Sequence, residues 1–154
     1  LEGDREGHTT YILSISLSSD GRRAATGDAD NEAKIWDLSD QDPSAWRLLW
    51  TLEGYREGNW DIISISLSSD GRRVATASAD NSARAWDLSG KAPRLLKTIN
   101  FYGVQKSMGE CPPCYADVSS ISLSSDGRRA ATGSYRMTAM IWDFSDQDPS
   151  QWRL

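Results

Sequence analysis

Apolar and polar residues alternate along Ser14–Ser18, where Ile15 and Leu17 stand between Ser14, Ser16 and Ser18. That period of two is the signature of a pleated strand with one buried face. Asp20-Gly21 follows, a pair that supplies the positive φ angles of a tight hairpin turn. A second strand is predicted through Arg22–Thr26, a polar turn at Asp28–Asn31, and a third strand over Ala33–Trp36. Ser39–Ser44 has turn chemistry around Pro43, and Trp46–Leu52 reads as a fourth strand. The unit is a four-stranded antiparallel meander. No stretch carries an amphipathic helical period of useful length.

The block SISLSSDGRR recurs unchanged at Ser14–Arg23, Ser64–Arg73 and Ser120–Arg129. Each copy leads to a Trp-Asp pair: Trp36-Asp37, Trp86-Asp87 and Trp142-Asp143. From Asp20 to Asp70 to Asp126 the offsets are 50 and 56 residues, the mark of one supersecondary unit repeated three times. The copies differ in their loops. The second shortens its third connection to Ser89–Pro93, and an insertion at about Tyr102–Tyr115 precedes the third. The chain divides into a first unit over 1–53, with its fourth strand at about 46–53, and a second over 54–101. A loop insertion over 102–116 leads to a third unit over 117–154, whose fourth strand is truncated.

Composition narrows the function. The 154 residues carry a net charge of −5 and no long apolar run, which argues against a helical membrane span, nucleic acid and anionic lipid. The arginines after each Asp-Gly turn read as solvated strand edges, because Asp20, Asp70 and Asp126 stand beside them. Two cysteines and one histidine are too few for a closed zinc site, and neither metal nor cofactor is expected. Cys111-Pro112-Pro113-Cys114 reads as a stiffened surface loop, with a local disulfide or redox pair as the alternative. The chain opens on Leu1 with no basic-then-apolar leader, which reads as an internal boundary or a processed or engineered end.

The block ISLSSDGRRAATG, with Gly7-His8 ahead of it and Trp36-Asp37 behind, resembles the WD40 repeat. The resemblance covers nearly the whole chain. It implies an all-β fold of propeller blades, each a four-stranded antiparallel meander. Three blades form an incomplete ring unless another chain or further sequence completes it, since propellers close with roughly 4–8. It also implies a buried structural tetrad of His8, Thr26, Asp30 and Trp36, whose role is to stiffen the blade rather than to catalyse. The second unit offers Thr76, Asp80 and Trp86, with Asn59 in place of His. The third keeps Thr132 and Trp142, with Arg136 at the Asp position. Where the family favours Pro before Asp-Gly, this chain has Ser19, Ser69 and Ser125.

The function expected is that of a non-enzymatic, cytoplasmic scaffold or sensor module. It would bind a protein or peptide through loops on the propeller face, with Tyr55, Arg56, Trp60, Tyr135 and Arg136 as candidate contacts. Trp46 is expected to pack on its own blade. The alternative is a structural self-assembly unit with no ligand. Leu1-Glu2-Gly3 matches Leu52-Glu53-Gly54, and Trp152-Arg153-Leu154 matches Trp46-Arg47-Leu48, so head and tail complement each other. A dimer of three-blade arcs is the association expected.

Overall fold

The computed structural model describes residues 7–52, 60–101, 118–135 and 138–145. Expectations placed on Leu1–Gly3, Tyr55, Arg56, Asn59, the insertion 102–116 with Cys111 and Cys114, Arg136 and Trp152–Leu154 lie outside these residues. The first blade comprises β1 (Ile12–Leu17), β2 (Arg23–Asp28), β3 (Ala33–Asp37) and β4 (Arg47–Leu52). The second comprises β5 (Ile62–Leu67), β6 (Arg73–Ser78), β7 (Ser82–Asp87) and β8 (Arg94–Asn100). In the third, β9 (Val118–Leu123), β10 (Arg129–Ser134) and β11 (Ala139–Asp143) are the strands among the described residues. Every pairing is antiparallel and joins strands consecutive in sequence. A short 3-10 turn, Pro43–Ala45, is capped by the Asp42 carboxylate.

Two local readings need correction. Asp28 ends β2 instead of opening a turn. In the hairpin, only the glycine takes a positive φ, +68° at Gly21 and +66° at Gly71 and Gly127. Asp20 has another job, accepting from the Ser18 hydroxyl at 2.7 Å and from the Arg22 N–H at 3.0 Å. Both donors favour the ionised form and hold the Asp20 carboxyl below its usual range, as Ser124 and Arg128 do for Asp126.

The three sheets stand side by side in an open arc, with β5 against β1 and β2, and β9 against β5 and β6. Small residues make this approach possible. Ala25, Ala33 and Ile35 of the first blade meet Ile62, Ile65, Leu67 and Val74 of the second. Ala75, Ala77, Ala83 and Ala85 repeat that face against Val118, Ile121 and Ala130.

The invariant ten-residue block supplies the polar part of each junction. Ser14 and Ser16, expected only to alternate with the apolar face, accept from the Ile65 and Leu67 N–H groups of the next blade, both at 3.0 Å. Ser64 and Ser66 do the same for Ile121 and Leu123 at 3.1 and 2.9 Å. The Ser19 N–H donates to the Ser69 carbonyl, and the Ser69 N–H to the Ser125 carbonyl, each at 2.9 Å. Proline at these positions has no N–H to donate, which explains what serine does where the family favours Pro. Arg23 and Arg73 are not mere solvated edges: they reach the Gly71 and Gly127 carbonyls at 2.8 and 3.0 Å.

Packing at the junction is close. A Cβ on Gly27 would lie 2.5 Å from Ile62 Cγ2. At the equivalent positions of the next junction, Ala77 and Val118 exchange a methyl group, the larger residue on one side answered by the smaller on the other. Gly27→Ala is therefore expected to cost about 1–3 kcal/mol through overpacking, and to cost less in a chain that also carries Ile62→Ala, which removes the Cγ2 that the new Cβ meets. Urea unfolding of both single variants and the pair checks this; additive losses would contradict it.

Candidate functional site

The buried polar centre of the first blade is built where β1, β2 and β3 meet their entry loop. Trp36, on β3, donates its indole N–H to Thr26 Oγ1 at 2.8 Å. Thr26 Oγ1 lies 2.6 Å from His8 Nε2, and His8 Nδ1 lies 2.7 Å from Asp28 Oδ2. A consistent proton assignment runs Trp36 N–H to Thr26, Thr26 O–H to Nε2, and Nδ1–H to the Asp28 carboxylate. The acid of this chain is Asp28, not Asp30 as the resemblance implied, and Asp30 is exposed. The cause is local. Asp28 Oδ1 accepts the N–H groups of Asp30 and Glu32 at 3.0 and 2.9 Å, so its carboxylate spans the turn and the histidine together. Glu32 lies close to His8 and Asp28, but both imidazole nitrogens are already engaged, which leaves no lone pair free for a metal.

The second blade solves the same problem differently. Ser78 replaces Asp28, and the fully buried Asp80 accepts from Arg84 Nη2 at 3.0 Å and from the Ser82 N–H at 2.9 Å. Arg84 stands at the position of Lys34, whose ammonium bonds the Gly7 carbonyl and Glu32 in the first blade, both at 3.0 Å. Thr76 and Trp86 are buried beneath. In the third blade Met140 takes the cation's place, and the Trp142 indole N–H donates to Thr132 at 3.1 Å. The Asp of each Trp-Asp pair caps the next turn: Asp37, Asp87 and Asp143 accept from the N–H groups of Ser39, Ser89 and Ser145. Ser39 and Ser145 hold the Asp37 and Asp143 carboxyls below their ordinary values, helped by Arg47 and Arg129.

Chain direction puts the start of β1, β5 and β9 at the same blade end as the β2–β3, β6–β7 and β10–β11 turns. Trp60 and Tyr135 lie on that end and are 41% and 72% exposed. Tyr11, on the same end of the first blade, was not singled out from sequence; it is exposed as well. At the opposite end, a mixed-charge groove of about 410 Å³ runs between the first two blades, bounded by Asp20, Arg22, Asp70, Arg72 and Trp50. Trp46 donates to the Asp40 carbonyl at 3.0 Å and keeps to its own blade's connecting loop.

Meanders packed side by side by their first strands, with Trp–Thr bonds in the first and third, define the blades of a β-propeller. The chain belongs to the WD40 family: the family described as "WD domain, G-beta repeat" matches residues 2–37, 46–87 and 106–143. Among solved structures, it is similar to the Cps50 (Swd1) β-propeller domain of Myceliophteria thermophila. The two share 19% identity at a TM-score of 0.66, over 92% of this chain and 38% of that one. This chain thus spans well under half of that domain's length, and the likeness concerns the fold. Comparison with curated proteins gives no match.

Proposed function

We propose that the chain is a non-enzymatic interaction module that takes a protein or peptide partner on the blade end bearing Trp60 and Tyr135, inside the cytoplasm. The observation that carries this reading is the contrast between the two kinds of site. The buried His8, Thr26 and Asp28 spend their polar atoms on one another and on the turn, as stiffening groups do. Large aromatic side chains stand exposed on a rigid sheet end, where such residues anchor partners. Tyr55, Arg56 and Arg136 extend the proposed contact set. No helix among the described residues is long and apolar enough to cross a membrane. The second reading, a structural self-assembly unit, is favoured by the apolar face that β1 leaves uncovered.

The test is affinity capture from cell extract with the 154-residue chain and with its Trp60→Ala/Tyr135→Ala variant. A partner retained by the first and lost by the second, with unchanged far-UV circular dichroism and melting, supports the rim. Equal capture by both would remove it.

A further inference from the structure

We propose that two copies of this chain close on each other head to tail, the third blade of each seating on the first blade of the other. The junction would be the one that already joins blades within the chain. This is independent of what binds the aromatic rim.

Each built junction has one half on the leading blade and one on the following blade. The leading blade offers two serine hydroxyls, one serine N–H and one arginine. The following blade offers two backbone N–H groups on its first strand and two turn carbonyls. The third blade carries the four polar groups of a leading half, with nothing described opposite them: Ser120 and Ser122 are exposed, and Arg129 folds back to Asp143 at 3.4 Å. The first blade carries a complete following half. The register of β1 on β2 equals that of β5 on β6, so the Ile15 and Leu17 N–H groups point away from β2, as those of Ile65 and Leu67 do from β6. Gly71 and Gly127 have an arginine Cδ of the preceding blade 2.9 Å from their Cβ direction, whereas nothing lies within 4 Å of that point at Gly21. An arginine of a preceding blade has open space to occupy there.

The apolar surfaces say the same. Ile15 is 61% exposed, while the identical residues Ile65 and Ile121, each covered by a blade, are 5% and 8% exposed. On the third blade, Ile141 is exposed where its counterpart Ile35 is fully buried. Burial of these faces supplies the driving force.

Size selects this chain over a generic blade. The first junction pairs Gly27 with Ile62, and the second pairs Ala77 with Val118. The open halves carry Gly133 and Ile12 at the matching positions, a glycine and an isoleucine again. The isoleucine is uncovered, and the Ser120 hydroxyl lies over the glycine, 2.7 Å from its Cβ direction, until docking turns it to the Ile15 N–H. Two arcs give six blades, within the roughly 4–8 that close a ring, and a heterologous junction that closes stops growing.

Light scattering of the purified chain at tens of micromolar is expected to report twice its 17.0 kDa mass. Ile141→Asp charges the leading half at a residue whose counterpart Ile35 is fully buried at the built junction. Ile15→Asp charges the following half at a residue exposed in one copy. Each variant alone should run at the single-chain mass with an unchanged circular dichroism spectrum. An equimolar mixture of the two should recover double mass, because one intact junction remains between unlike chains. A single-chain mass for the unaltered protein, a higher oligomer, a dimer that survives both substitutions, or a mixture that stays monomeric overturns the proposal.

Discussion

Arg84→Ala is expected to lower the unfolding free energy by about 3–5 kcal/mol, the largest loss from any single side chain considered. Asp80 is fully buried, and Arg84 is its charged partner at 3.0 Å. Removing the guanidinium takes the charged partner away from a carboxylate fully buried in the second blade, and the cost is the desolvation of a charge that this partner offset. The size of the effect does not mean that the ion pair is worth that much. A blade with no charge at either position should be nearly as stable as the native one, since hydrophobic replacements of buried pairs are often neutral or better. Asp80→Ser with Arg84→Met, which borrows Ser78 chemistry and the Met140 of the third blade, should therefore recover most of the loss. Urea unfolding followed by tryptophan fluorescence checks both. A loss under about 1 kcal/mol for Arg84→Ala would show that water reaches the pair.

Thr26→Val is expected to be the second most damaging change. Valine fills the same volume but offers neither acceptor nor donor, so the Trp36 indole N–H and His8 Nε2 are stranded together. Each stranded buried group costs about 1–3 kcal/mol. Trp36→Phe removes only one bond of the relay and should cost about 1–3 kcal/mol, packing included. Thr132→Val, in a blade where Trp142 is half-buried and the described residues supply no histidine, should cost less than Thr26→Val. Equal losses at Thr26 and Thr132 would show that His8 adds nothing.

The architecture was legible because three signals agreed. Strict alternation gives a strand with one buried face, Asp-Gly gives the turn, and an exact repeat carries both through the chain. Even so, the alternation was half understood. Ser14 and Ser16 count as polar in any pattern, and no pattern says that their hydroxyls end on the backbone of another blade. The literal identity of the repeated block was the available signal, because strand pairing alone does not require the same serine and arginine three times. The exchange of Asp28 for Asp30 has a similar origin. Both stand in one short acidic turn, and only the path of the backbone decides which carboxylate meets the histidine while capping Asp30 and Glu32.

What the amino-acid sequence determined by itself was therefore local: strand period, turn position and the repeated unit, set by interactions within a few residues. What the tertiary structure alone decided was how each unit meets the next. Ile15, Ile65 and Ile121 are one residue in one motif, yet only the first is uncovered. Burial is a property of what stands opposite a side chain, and in a repeat protein that is the neighbouring unit.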